Sequence, residues 1–297
     1  QQNWIPIMET TRGCPYACTF CDLGALNHNK VYKTELGRVQ EELDWLVENK
    51  LSSFYYVDNN FGLFKDRDDT IVDMVIASKE KYGYPKSFFV NWAKNHKEEF
   101  INMAKKLYDA DVLQSITLSL QTRNEEALEI IKRKTMNIND ISFYTDMCKQ
   151  VGLPYSTELM LGNPGETVDS WKDGYIEVVA DGISCDIYAV ALLPGAELAS
   201  EASLKEHGIE YEPVQFPGVA NPKYRPVKEW MNQIVATKYM NRNEMREMFE
   251  WTWCTRLGHE FNFTRELANY CEKHNVATMR EFYDSFYEYI NTSKGIL

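Results

Sequence analysis

No stretch of this chain comes near the roughly 20 consecutive apolar residues that span a bilayer, so no transmembrane helix is expected. Gln1-Gln2-Asn3-Trp4 lacks a basic segment followed by an apolar one, and no signal peptide is read there. A basic stripe is also missing: 44 acidic residues against 32 basic ones give a formal charge of −12, which repels a phosphate backbone. The densest basic stretch, Lys132-Arg133-Lys134, follows Glu125, Glu126 and Glu129 and reads as a solvated helix end, so a nucleic-acid partner is not expected. Fifteen glycines and ten prolines are too ordinary for a collagen-like or low-complexity chain. Seven cysteines are too few for a disulfide scaffold, and an odd number leaves one over.

What is present is enough apolar material for a large core, 44% of 297 residues with 13% aromatic. Short apolar runs alternate with longer amphipathic ones. Strands are predicted at Ile5–Thr10, Phe54–Asp58, Ser87–Asn91, Ser115–Gln121, Tyr155–Leu161 and Ser184–Leu192. Helices are predicted at Thr34–Asn49, Arg67–Tyr82, Lys97–Ala110 and Thr167–Ala180, with one capped by Asn124 and reaching Arg133, and one capped by Asp140 and ending at Gly152. The alternation implies an α/β fold with a parallel sheet and chemistry at the carboxyl ends of its strands. A core over residues 1–195, a proline-rich connector over 196–226 and a helical region without strands over 227–297 complete the expected organisation.

The strongest motif is Cys14-Pro15-Tyr16-Ala17-Cys18-Thr19-Phe20-Cys21, directly after the first predicted strand. Three thiolates spaced C-x3-C-x2-C on one loop can hold three irons of a [4Fe–4S] cluster and leave the fourth iron open to a ligand. None of Cys148, Cys185, Cys254 or Cys271 has motif-like spacing, and Cys254 and Cys271 read as ordinary buried thiols. The alternative is a structural zinc site of Cys14, Cys18, Cys21 and His28. Zinc modules, however, offer two-and-two spacing in small domains that need the metal to fold, whereas this loop leads into a series able to build its own core.

The cysteine motif resembles that of the radical S-adenosylmethionine (radical SAM) enzymes, and the resemblance covers roughly residues 4–195. It implies a partial (β/α)6 TIM-like barrel with a C-terminal α-helical extension, metal ligands Cys14, Cys18 and Cys21, and S-adenosylmethionine chelated at the open iron. One electron from the cluster then cleaves the sulfonium, and the resulting 5′-deoxyadenosyl radical abstracts hydrogen from substrate. Asp58-Asn59-Asn60-Phe61 is similar to the family's Asp-x-x-Phe element, which meets the methionine amino group chiefly through backbone. Ser119-Leu120-Gln121 followed by Arg133 resembles the pattern in which Gln binds ribose and Arg pairs with the cofactor carboxylate, a role suited to its planar fork. Glu158, leading into Gly162-Asn163-Pro164-Gly165-Glu166-Thr167, takes the place of the acidic residue that reaches the ribose hydroxyls. Phe20 and the sixth-strand residues Ala189 and Ala191 are expected at the adenine, and Asn91 among the remaining cofactor contacts.

The wording around the cysteines looks most like the cobalamin-dependent branch. No Asp-x-His-x-x-Gly motif of a cobalamin domain occurs in these residues, so either that domain lies upstream of them, which the start at Gln1 favours, or this member works without it. That branch implies methyl transfer or rearrangement on a small metabolite, peptide or surface-sugar precursor. A flavodoxin or ferredoxin is implied as electron donor, in a reducing cytoplasm with no membrane partner. A methylthiotransferase-like enzyme acting on transfer RNA and a non-catalytic zinc or Fe–S binding module are the alternatives. In the tail, Trp230, Tyr239, Phe249, Trp251, Trp253, Phe261 and Phe263 read as core packing, and His259 beside Glu260 as a structural residue rather than a proton relay.

Overall fold

The computed structural model describes residues 5–23, 29–93, 97–133, 138–215 and 229–292. The chain opens with two short strands, β1 (Ile7–Met8) and β2 (Thr11–Arg12), where one strand over Ile5–Thr10 was expected. β2 pairs antiparallel with β3 (Tyr32–Lys33), and α1 (Leu36–Glu48) follows, burying Val39, Leu43 and Leu46 at helical spacing. β4 (Ser53–Phe61) runs three residues beyond the predicted end at Asp58. After it come α2 (Lys65–Tyr82), β5 (Ser87–Trp92), α3 (Lys97–Asp109) and β6 (Ile116–Gln121).

Asn124 caps α4 (Glu125–Ile130), its side chain accepting from the Ala127 amide at 2.8 Å. The next helix, α5 (Ile138–Val151), starts before Asp140, which is therefore inside the helix rather than its cap. β7 (Tyr155–Leu161) matches its predicted bounds. α6 (Val168–Ala180) opens with a reciprocal capping box between Thr167 and Ser170. The expected sixth strand divides at Val190 into β8 (Ser184–Ala189) and β9 (Ala191–Leu192), and α7 (Glu201–His207) follows.

Beyond this point the structure corrects the sequence reading. β10 (Glu210–Gln215) and β11 (Trp230–Ala236) are strands, where a connector and a helix were expected. β11 lies between β10 and β9, antiparallel to both. Pro213 sits on the edge strand β10, the one place in a sheet where a missing N–H costs least. The helices α8 (Arg242–His259), α9 (Arg265–Lys273) and α10 (Met279–Thr292) close the chain.

Among the described residues the alternating strands form two three-stranded sheets, ordered β1-β4-β5 and β6-β7-β8, with no closed barrel. β1, β4 and β5 run parallel. The α/β class is as expected. Contacts divide the chain into two compact units, one of Gln1–Cys18, Leu23–Leu120 and Lys134–Thr157, the other of Thr19–Asp22, Gln121–Arg133 and Glu158–Leu297.

The first unit has an aromatic core in which Phe54, Tyr56, Phe61 and Phe88 meet edge to face, tilted or stacked at 5.0–6.2 Å. In the second, Trp251 is fully buried, stands edge-on to Tyr175, and donates from its indole N–H to Asp284 at 2.8 Å. The expectation that the tail aromatics are core holds for Trp251 but not for Trp230, Trp253, Phe261 and Phe263, which are 54–79% exposed: Trp253 lies on the outer face of α8, Trp230 opens β11, and Phe261 and Phe263 lie in the loop after α8.

Candidate functional site

In the first unit the cysteine loop is tied to the end of β4. Alternation along β4 turns Asp58 to the buried side, where an unpaired carboxylate is costly. It is satisfied by the Thr10 amide at 2.7 Å, the Thr10 hydroxyl at 2.5 Å and the Thr11 hydroxyl at 2.7 Å. Arg67 braces the same segment, donating to the carbonyls of Thr10 at 3.0 Å and Thr34 at 2.7 Å. Gly13, at φ 104°, makes the turn into Cys14, a backbone region that favours glycine. Asn59 donates to the Gly13 carbonyl at 3.3 Å, and Asn60 donates from Nδ2 to Cys14 Sγ at 3.2 Å. The side chains of Asp58, Asn59 and Asn60 thus all face the cysteine segment. Asn91, also expected at the cofactor, is exposed and accepts from the Tyr55 hydroxyl at 3.1 Å, and Ser119 is half-buried on β6.

In the second unit, Thr19 holds the stretch carrying Phe20 and Cys21 by three hydrogen bonds. Its amide donates to the Ile131 carbonyl at 3.2 Å, its hydroxyl to the Ile130 carbonyl at 3.3 Å, and its carbonyl accepts from the Leu198 amide at 2.8 Å. Arg133 follows directly and is only 2% exposed, which corrects the reading of Lys132-Arg133-Lys134 as a solvated end. Lys132, at φ 54°, does reach outward to Glu197 at 2.5 Å, and this reversal of the backbone turns Arg133 inward.

Gln121, buried at the end of β6, has a φ of 75°, a conformation rare for a residue with a side chain and concentrated at functional positions. Next to it Thr122 donates to Glu166 at 2.5 Å, and Ser170 donates to the other Glu166 oxygen at 2.7 Å. Burial pushes the Glu166 carboxyl above its ordinary range, against the two hydroxyls that favour the charged form. Gly165 explains its own place in the motif: a Cβ there would stand 2.8 Å from the Ala127 nitrogen and 2.9 Å from its Cα. Glu158, on β7, lies close enough to Tyr188 of β8 that, after burial, its charge helps raise the Tyr188 hydroxyl's pKa. Ala189 and Ala191 flank Val190, whose amide donates to the Leu161 carbonyl at 2.9 Å and whose carbonyl accepts from Ile234 at 3.0 Å.

Sequence reasoning missed Arg67, Thr10 and Thr11 as supports, and β11 as the neighbour of Ala191. Only the Ile234-Val235 pair in β11 carried a strand signal. His259 is buried and bonded to the Tyr283 hydroxyl at 3.0 Å, and burial, then the Arg265 charge, lowers its pKa; it is a packed residue.

All seven cysteines are thiols, with no disulfide among them. Cys148 and Cys185 are buried, whereas Cys254 and Cys271 are half-buried rather than buried. Burial pushes the Cys148 thiol up to about 11 and the Cys185 thiol higher still. Among the described residues no three His, Cys, Asp or Glu side chains converge enough to hold a metal ion, and His28 lies outside those residues. The donor set nevertheless fits an iron–sulfur cluster: three thiols within eight residues of sequence, the first accepting an amide N–H at its sulfur.

The family model of the radical SAM superfamily matches residues 8–174, more than half of the chain. The chain belongs to this superfamily. As a radical SAM protein it is similar to the cobalamin-dependent radical SAM methyltransferase TokK of Streptomyces tokunonensis, 28% identical over 97% of this chain and 42% of that one. It is also similar to the 2-(S-pantetheinyl)-carbapenam-3-carboxylate methyltransferase of Streptantibioticus cattleyicolor, 29% identical over the same shares. The chain spans about two fifths of the length of these curated relatives. Among solved structures, the radical SAM methyltransferase TsrM of Kitasatospora setae, with cobalamin and a [4Fe–4S] cluster bound, shares the fold at a TM-score of 0.57 and 16% identity over 70% of this chain and 39% of that one. No helix among the described residues is long and apolar enough to cross a membrane.

Proposed function

We propose that this chain is the cluster- and S-adenosylmethionine-binding part of a cobalamin-linked methyltransferase acting on a small organic metabolite. The observation that carries this is the alignment over 293 residues with two methyltransferases, one of them named as cobalamin-dependent, in a chain with the three-cysteine loop. Cys14, Cys18 and Cys21 hold the [4Fe–4S] cluster. When bound, the cluster with S-adenosylmethionine supplies one-electron cleavage of the sulfonium and hence a hydrogen-abstracting radical.

The protein's part is positioning. Asp58 fixes the entry to the cysteine loop through Thr10 and Thr11. Arg133, held in a buried position, supplies a permanent cation for the cofactor carboxylate, and Gln121 and Glu158 supply hydrogen-bonding groups for the ribose. Phe20, Ala189 and Ala191 offer apolar surface to the adenine. The strained Gln121 backbone supports this reading, because strain persists where the surrounding structure over-determines a useful geometry. Residues 1–195 form the functional core in this proposal, cobalamin is carried by a segment outside this chain, and a flavodoxin- or ferredoxin-type protein delivers the electron.

Anaerobic reconstitution of the chain is expected to give about four irons and, with dithionite and S-adenosylmethionine, 5′-deoxyadenosine. Replacing Cys14, Cys18 and Cys21 together by Ala is expected to abolish both. Iron and nucleoside retained in that triple variant would refute the reading.

A further inference from the structure

Asn60 uses its only side-chain hydrogen bond among the described residues on a sulfur. Its amide is 3% exposed, Nδ2 points at Cys14 Sγ at 3.2 Å, and Oδ1 has no partner. A buried polar atom without a partner calls for an explanation, since native interiors satisfy nearly all of them. A sulfur that ligates a cluster is a thiolate and has no hydrogen to donate, so the amide must present N–H to it, and this leaves the oxygen stranded. Asn60 is also rigidly mounted: the Leu63 amide donates to its carbonyl at 3.3 Å, and its neighbour Phe61 accepts from the Ala93 amide at 2.7 Å. The residue before Cys14 is held as well, the Asn59 side chain donating to the Gly13 carbonyl at 3.3 Å.

From this geometry we infer that Asn60 is a positioning residue that sets the reduction potential of the cluster held by Cys14. The inference rests on the cluster-binding reading above. A reduced cluster carries more negative charge on its sulfurs than an oxidised one, so an N–H donor to a ligand sulfur stabilises the reduced form and raises the potential. The arrangement eases entry of the single electron that the chemistry needs. It does so without placing a charge beside the cofactor.

The test compares the reconstituted wild-type chain with Asn60→Leu, which keeps the volume and removes the donor, and Asn60→Asp, which keeps the shape and removes the donor. Iron content and the visible spectrum report whether a cluster forms; dye-mediated titration with dithionite gives its midpoint potential. Both variants are expected to bind about four irons with the reduction equilibrium shifted about tenfold toward the oxidised form, or about 59 mV for one electron. Equal potentials in wild type and loaded variants would overturn the inference and leave the cluster reading intact. Failure of the wild type to form a cluster would overturn the reading itself. If neither variant loads, wild-type protein labelled with ¹⁵N at asparagine side chains decides the matter: pulsed EPR of the reduced cluster is expected to show a side-chain nitrogen coupling, and its absence would overturn the inference.

Discussion

The Thr122 hydroxyl meets the Glu166 carboxyl at 2.5 Å with both residues buried, joining the end of β6 to the loop after β7 within one unit. Because burial raises the Glu166 pKa above its unfolded value, the stability this group contributes is fully present below the unfolded carboxyl range. It is lost as pH rises through the folded pKa. Glu166→Gln cannot ionise, so its stability relative to wild type is expected to improve as pH rises above the unfolded carboxyl range and to level off once pH passes the folded pKa, read by urea unfolding. A difference independent of pH would show that folding leaves the Glu166 pKa unchanged.

Gly165→Ala is expected to destabilise the second unit by about 2–4 kcal/mol, combining overpacking with left-handed backbone strain. The added methyl would press on the Ala127 backbone, which belongs to α4 and has no freedom to withdraw, and φ there is 93°. Thermal unfolding measures the loss.

Asp58→Ala strands the Thr10 amide and the Thr10 and Thr11 hydroxyls in a buried place. The expected cost is about 3 kcal/mol, since hydrogen bonds to a charged group are worth about 1.5–3 kcal/mol and buried donors left unmade cost more. Iron uptake on reconstitution should fall with it. A variant as stable as wild type that loads normally would mean that Asp58 does not brace the cysteine loop.

Ile234→Ala removes a side chain that is 1% exposed on β11, beside the β9 segment carrying Ala191. The expected loss is about 2–4 kcal/mol by denaturant titration. Calorimetry should also show weaker S-adenosylmethionine binding by the loaded protein, because the strand proposed to meet adenine loses its neighbour.

Thiol reactivity separates the cysteines. At pH 8 in native protein, Cys148 and Cys185 should resist alkylation, since burial raises both thiols and keeps them protonated and inaccessible. Mass spectrometry after unfolding should find all seven modified. Prompt labelling of Cys185 in the native state would contradict its burial.

Much of this protein is written in short-range pattern. Cysteine spacing, helical periodicity in α1, the Asn124 and Thr167 caps and the β7 bounds each depend on residues within a few positions of one another. Such signals survive in a sequence because backbone hydrogen bonding and side-chain periodicity act over that range. Tertiary structure decided the rest. Asp58 reaches Thr10 and Thr11, Asn60 reaches Cys14, and Arg67 reaches Thr10 and Thr34, across separations that no periodicity encodes. Trp230–Ala236 became a strand because β9 and β10 offered it hydrogen-bonding edges on both sides, and neighbours outweigh the weak preference of a short mixed segment. Arg133 was legible as a charge, but its burial was set by the turn at Lys132 and the packing behind it.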